Sequence, residues 1–384
     1  MATPSATAVP RLPDLAAWTA KKSCFLFGPR QTGKTFLIRS TLPEVRVYDL
    51  LDSAVWLALS QHPGRLAEEL TSRDKLVVID EVQRMPLLLN EVHRLIEERG
   101  TRFLLTGSSA RSLRRGGVNL LGGRARVHHL HPLSCRELGE RFDLNRAIER
   151  GLLASIYFSD DPRADLDAYA GTYLQQEIVA EGATRNAAAF SRFLRVAALC
   201  NATMINFTSI ASDAQVPRTT VYEYFEILKD TLLIHEVPAW QASRKRKPLV
   251  TSKFYFFDVG VVSALQGRLV KPGTPEFGPA FETWILHELL AWRDYASGET
   301  VSYWKSTSGF EVDFVIGDHT AVEVKAKGAV SAADLRSLRA IKEERKLKRY
   351  VCVALEKRRR EIEGVSVVPW REFVDGLWRG EFGD

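Results

Sequence analysis

The sequence predicts a multidomain α/β protein, and three observations predict it. The chain has 384 residues, more than a single hydrophobic core normally serves. Residues 22–130 alternate short apolar runs with amphipathic stretches, the pattern of a parallel sheet covered by helices. From about residue 144 the periods become helical, and beyond a basic, proline-containing break at 244–248 strands and helices alternate again. A composition of 45% hydrophobic, 26% charged and 10% aromatic residues excludes disorder, collagen and small disulfide scaffolds. The formal net charge of +6 permits a nucleic-acid partner without demanding one. No apolar run reaches the roughly 18 residues that span a bilayer. The N-terminus also lacks the charged start and apolar core of a signal peptide, so a cytoplasmic protein with no membrane partner is expected. Cys24, Cys135, Cys200 and Cys352 have neither CxxC spacing nor neighbouring histidines, which predicts reduced thiols and no zinc site.

In the first part, strands are expected at 23–27, 45–48, 76–79, 103–105 and 126–130. Directly after the first of them, Gly28-Pro29-Arg30-Gln31-Thr32-Gly33-Lys34-Thr35 fits GxxxxGK[ST] and leads into a helical stretch. Glycines let backbone N–H groups turn inward around phosphates, and the helix N-terminus adds its positive end. Lys34 is expected on the β- and γ-phosphates of ATP and the Thr35 hydroxyl on Mg²⁺. The apolar strand ending in Asp80 and Glu81 follows about 45 residues later. Asp80 would hold the ion's water shell and Glu81 would polarise the attacking water. A third strand ends in Thr106-Gly107-Ser108-Ser109, with Ser108 the preferred γ-phosphate sensor and Ser109 next. Arg124, in Gly122-Gly123-Arg124-Ala125-Arg126, is the candidate arginine finger, and a solvated surface arginine is the alternative reading.

The GPRQTGKT loop, the IDEVQ segment, the TGSS end and the GGR followed by HPLSCREL make residues 20–140 resemble the AAA+ ATPases, in particular a prokaryotic family of them. The resemblance implies an ASCE-type sheet, ATP with Mg²⁺, and a nucleotide-driven homo-oligomer such as a ring, with Arg124 acting across a subunit interface.

Helices are expected in the middle part at 169–179, 190–199, 208–213 and 219–229. Residues 190–240 look like a winged helix-turn-helix whose turn is Val216-Pro217-Arg218. At 100° per residue, Val221, Tyr224, Phe225 and Leu228 share an apolar arc, and Arg218, Thr219, Tyr222, Glu226 and Lys229 share the other. Arg218, Tyr222 and Lys229, with Arg244, Lys245, Arg246 and Lys247 at the wing tip, are the candidate contacts to nucleic acid, DNA first. A merely solvated polar face is the alternative.

In the last part, strands are expected at 254–257, 301–305, 311–316, 320–324 and 350–354, with helices near 281–295 and 332–344. Asp313 sits on one strand, and Glu323 and Lys325 on the next share a face because side chains repeat every two residues. This arrangement, with Glu282 opening the preceding helix, resembles the PD-(D/E)XK nuclease superfamily. It implies Glu282, Asp313 and Glu323 as ligands of Mg²⁺ or Mn²⁺, and Lys325 orienting the water and stabilising developing charge.

The expected organisation is residues 1–140 as an AAA+ ATPase domain, 141–250 as a winged-helix-like α segment, and 251–384 as a restriction-endonuclease-like α/β domain. Together these resemble prokaryotic ATPases with a nuclease-like C-terminal domain of unknown function. The expected function is ATP binding and hydrolysis in a protein acting on nucleic acid, with a metal-dependent nuclease domain. The alternative is a signalling or scaffold ATPase whose C-terminal domain binds without cleaving.

Overall fold

Strand β1 (Ser23–Phe27) is buried at every position, as a strand covered on both faces must be. In the computed structural model, which describes residues 8–109, 111, 113, 121–173, 186–243 and 245–383, it is an interior strand of a five-stranded sheet. The other strands are β2 (Arg46–Asp49), β3 (Leu76–Asp80), β4 (Arg102–Gly107) and β5 (Ala125–His129), in the order β2-β3-β4-β1-β5 and all parallel. β4 lies between β1 and β3, the ASCE-type order that the resemblance implies. Helices α1 (Leu15–Lys21), α2 (Lys34–Thr41), α3 (Ser53–Gln61), α4 (Arg65–Glu69) and α5 (Leu88–Arg99) alternate with these strands. On α5, Leu88, Val92 and Leu95 recur at helical spacing and pack on Phe25, Val77, Phe103 and Leu105 in one core. Gly100 ends the helix at φ 64°, a left-handed cap that a side chain would strain.

Contacts divide the chain into two compact units, one built on Met1–Pro132 and also counting Glu226–Leu233, the other built on most of Leu133–Asp384. The second begins with short helices α6 (Cys135–Leu138), α7 (Leu144–Arg150), α8 (Ala154–Tyr157) and α9 (Pro162–Ala168). Of the helix expected at 169–179 only Tyr169–Tyr173 is described, as a π turn, and the rest lies outside the described residues. Next come α10 (Ala187–Leu199), β6 (Thr203–Met204), α11 (Phe207–Ala214), α12 (Arg218–Asp230), β7 (Ile234–Val237) and β8 (Lys253–Phe256). The three strands form an antiparallel sheet in the order β6-β8-β7. Along α12 the sides are as the period predicts: Val221, Tyr224, Phe225 and Leu228 are buried, while Arg218, Thr219, Tyr222 and Glu226 are exposed.

After α13 (Val259–Gln266), α14 (Phe277–Trp292) is apolar nearly all round and almost wholly buried. It precedes a six-stranded sheet of β9 (Val301–Lys305), β10 (Glu311–Ile316), β11 (Thr320–Lys325), β12 (Arg349–Ala354), β13 (Arg360–Ile362) and β14 (Val365–Pro369). The order is β13-β14-β12-β11-β10-β9. The pairs β9/β10, β10/β11 and β13/β14 are antiparallel, whereas β11/β12 and β12/β14 are parallel. Helix α15 (Arg336–Lys342) joins β11 to β12, and α16 (Trp370–Trp378) closes the unit. No described helix is long and apolar enough to cross a membrane.

The described residues around the basic break are hydrogen-bonded to β9 and to the turn that follows it. Trp240 donates to the Tyr303 carbonyl at 2.6 Å, Leu249 to Lys305 at 2.8 Å, and Thr307 to Lys247 at 3.0 Å. The segment therefore runs beside β9 and supplies hydrogen bonds that an edge strand would otherwise leave to solvent or to another chain.

Candidate nucleotide site and C-terminal acid cluster

The turn after β1 is held from within. The Gly28 N–H donates to Gly107 on β4 at 3.3 Å, and a Cβ built on Gly28 would meet the Leu130 carbonyl at 2.4 Å, so only glycine fits. The Thr32 hydroxyl donates to the Pro29 carbonyl at 2.7 Å. Gln31 (φ 62°) and Gly33 (φ 91°) take left-handed conformations, and Gly33 starts α2. The buried Lys34 ammonium donates to the Gly28 and Pro29 carbonyls at 2.7 and 3.2 Å, inside the loop. Arg30 is half-buried at the rim.

Asp80 and Glu81 end β3 against this loop. The Thr35 hydroxyl donates to Asp80 Oδ2 at 3.0 Å, and the Thr106 hydroxyl on β4 bonds Asp80 Oδ1. Glu81 is buried with φ 58°, a left-handed conformation sustained only where its surroundings hold it. Burial pushes its carboxyl above the usual range, against the pull of Lys34 and Arg30. Gln83 Nε2 donates to Glu81 Oε2 at 2.5 Å and to Ser108 Oγ at 3.1 Å, and so ties the acid to the expected sensor.

Gln83 escaped the sequence reading, although it stands two residues after Glu81. Arg11 escaped it too: its guanidinium donates to the Thr32 carbonyl and, at 2.7 Å, to the His131 carbonyl. In a trans peptide the C=O and the following N–H point opposite ways. Arg11, by holding the Thr32 carbonyl toward its own guanidinium, directs the Gly33 N–H to the opposite side.

Arg124 is half-exposed and pairs with Glu97, whose carboxyl it holds below the usual range. Of the expected nucleic-acid contacts, Arg218 stacks on Tyr222 with 5.5 Å from its guanidinium carbon to the ring centroid, and Lys229 pairs with Glu226 at 3.0 Å. Arg244 lies outside the described residues. Arg246 pairs with Glu343 at 2.8 Å and donates to the Ala340 carbonyl at 2.9 Å. The Lys245 backbone is fixed by Glu344 at 2.6 Å. Both residues are held against α15, while the side chains of Lys245 and Lys247 are exposed.

The C-terminal acids gather around lysines. Tyr255 donates to Glu282 at 2.7 Å, and the Lys253 ammonium lies 3.6 Å from Glu282 and in contact with Glu311. Lys305 pairs with Glu311 at 2.7 Å, and Lys325 with Glu323 at 2.5 Å. Asp313, in a stretch where the β9/β10 register shifts, accepts from the Val324 N–H at 2.8 Å. Burial, then the Asp313 charge, pushes Glu282 up to about 7. Burial alone would lower Lys253, but Glu282, Asp313 and Glu311 hold it charged, above its ordinary range. The expected ligand set does not close: among the described residues no three His, Cys, Asp or Glu side chains converge to hold an ion. Lys253, Tyr255 and Glu311 were not read from the sequence, although Glu311 stands two positions before Asp313 on one strand.

Comparison with known proteins divides the chain in three. Residues 20–139 match the model of an AAA domain, 141–270 a domain of unknown function (DUF8612), and 277–373 another domain of unknown function (DUF4143). No curated protein matches. Among solved structures, the replication initiator DnaA bound to AMPPCP and single-stranded DNA is similar at 14% identity over 58% of this chain and 90% of its own, with a TM-score of 0.29. Domain III of DnaA from Thermotoga maritima matches at 15% identity over 44% of this chain and 88% of its own, with a TM-score of 0.23. A signal transduction ATPase with a tetratricopeptide repeat sensor from Pyrococcus horikoshii matches at 13% identity over 77% of this chain and 49% of its own, with a TM-score of 0.22. No residue role follows from similarity at this level.

Proposed function

We propose that the chain binds and hydrolyses ATP at the loop after β1. The observation that carries this is the buried Lys34 ammonium held by the Gly28 and Pro29 carbonyls of the loop, beside a Thr35 hydroxyl hydrogen-bonded to Asp80. These donors suit a nucleotide and its Mg²⁺: Lys34 and the start of α2 would hold phosphate oxygens, and Thr35 and Asp80 would hold the ion, which supplies charge neutralisation. Glu81, with its carboxyl oriented by Gln83, accepts a proton from the attacking water, and Ser108 on the same Gln83 registers the γ-phosphate. ATP turnover by the full chain, together with calorimetric binding of a non-hydrolysable analogue, tests this. A chain that binds no adenine nucleotide overturns it.

Arg124 is proposed as the finger, released from Glu97 when copies of the chain assemble into a homo-oligomer. Arg124→Ala is expected to lower kcat about 10³-fold while leaving nucleotide affinity within about twofold, because such a residue acts on the transition state. A kcat unchanged by the substitution removes the role.

The segment from α10 to β8 has the element order of a winged helix, which supports a second reading, contact with nucleic acid. The exposed Arg218–Tyr222 pair on α12 is the observation in its favour. Replacing Arg218, Lys229 and Lys247 by alanine is expected to reduce the salt slope of duplex binding by about 0.9 per lost phosphate contact. Equal slopes for variant and wild type would place any such contact elsewhere.

In the last part, the order α14, β9, β10, β11, α15, β12 supports a nuclease-like fold. Its acids do not fit a divalent ion, since Glu282 and Glu323 already bond Tyr255 and Lys325. The unit is accordingly a module that binds without cleaving.

A further inference from the structure

We propose that Lys253 is the resident cation of the C-terminal acid cluster: its ammonium stands in the place of a divalent ion, and the module is built to work without metal. Lys253 belongs to β8, in the three-stranded sheet, and not to the strands that carry Asp313, Glu323 and Lys325. It nevertheless reaches into the cluster, in contact with Glu311 and 3.6 Å from Glu282, and only 2% of its surface is exposed. A buried ammonium persists only where anions surround it, and here the anions are the acids that a metal site would use.

Other side chains meet Glu282, Glu311 and Glu323 in turn. Tyr255, two residues along β8, donates to Glu282, so one short strand neutralises and orients the acid expected from α14. Lys305 covers the second oxygen of Glu311, and Lys325 takes one oxygen of Glu323. Four acids, Glu282, Glu311, Asp313 and Glu323, thus meet three lysines, Lys253, Lys305 and Lys325. A divalent ion entering among them would face the fixed charge of Lys253 with at most one carboxylate in excess of the lysines to offset it. One oxygen, Glu323 Oε2, is buried without a hydrogen-bond partner. A single orphaned oxygen makes one ligand, short of the set of six to eight oxygens that a hard cation gathers.

The proposal rests on reading these acids as a nuclease-like constellation and is independent of the nucleotide site. The test is titration of the full chain with Mn²⁺ alone, without nucleotide, followed by electron paramagnetic resonance of the free ion. The chains compared are wild type, Asp313→Asn, Lys253→Met, Lys253→Gln and the double variant Lys253→Met with Asp313→Asn, each checked for folding by circular dichroism. Wild type is expected to hold no Mn²⁺ that Asp313→Asn removes, and millimolar Mn²⁺ is expected to leave its melting temperature unchanged. Lys253→Met, or Lys253→Gln if the methionine chain fails to fold, is expected to gain one site at least tenfold tighter, lost again with Asp313→Asn. Mn²⁺ binding by wild type that depends on Asp313 overturns the proposal while upholding the acids as a metal site. Absence of an Asp313-dependent site in every chain overturns both the proposal and the nuclease-like reading of the acids.

Discussion

Lys34→Ala is expected to weaken nucleotide binding by at least about 100-fold, whereas Glu81→Gln is expected to keep affinity and lower turnover about 10²- to 10⁴-fold. The two changes separate because the side chains meet different atoms. The Lys34 ammonium sits inside the loop, bonded to the Gly28 and Pro29 carbonyls, where its charge would face phosphate in the ground state and the transition state alike. Removing it takes away binding common to both states and leaves those carbonyls aimed at a bound anion. Glu81 stands on a left-handed residue at the end of β3, with its Oε2 held by Gln83. Glutamine there preserves shape and that neighbour while removing the capacity to accept a proton. Calorimetry with a non-hydrolysable analogue and a phosphate-release assay on the same preparations give both numbers. Equal affinity for Lys34→Ala and wild type would remove Lys34 from the phosphate site.

The nucleotide loop was legible because its chemistry is contiguous: eight adjacent residues place turn, helix start, lysine and hydroxyl in one stretch. The strands of the first sheet were legible to within a few residues for a related reason, since a strand buried on both faces is a continuous apolar run. Arg11 and Gln83 were not legible as parts of that site. Arg11 bonds a carbonyl on a loop 21 residues away, and Gln83 reaches Ser108 across 25 residues, contacts that no local period encodes. The C-terminal acids show the converse. Asp313, Glu323 and Lys325 were readable from strand alternation, but their surroundings come from Lys253 and Tyr255 on a strand of another sheet. The basic stretch at 244–247 looked like a free phosphate-binding tip. Within it, Arg246 and the Lys245 backbone are met by Glu343 and Glu344 just past α15, about a hundred residues on, which no local pattern encodes. Strands β13 and β14 went unread because each is short, one is mostly polar, and glycine and charge lie between them.

Glu288→Gln is expected to make the chain more stable above about pH 8, with the gain shrinking as pH falls toward 5. Glu288 is wholly buried on α14, where Oε1 accepts the Cys135 N–H at 2.8 Å. Burial pushes its carboxyl up to about 8, the Cys135 N–H opposes this, and the Glu137 charge adds to it. The folded chain therefore keeps this acid neutral at pH 7, while an unfolded chain ionises it near the ordinary value of about 4.3. A pKa raised on folding contributes stability that is fully present below the unfolded pKa. That contribution falls as pH rises between the two values and is gone once pH passes the folded one. Each unit is worth about 1.4 kcal/mol, so the whole window amounts to a few kcal/mol, on the order of a third of a typical domain's stability. Glutamine keeps an acceptor for Cys135 and has nothing to ionise, so the variant escapes this loss. Melting temperatures of both chains from pH 5 to about 9 should diverge upward for Glu288→Gln through that window. Parallel curves would mean that Glu288 is charged in the folded chain.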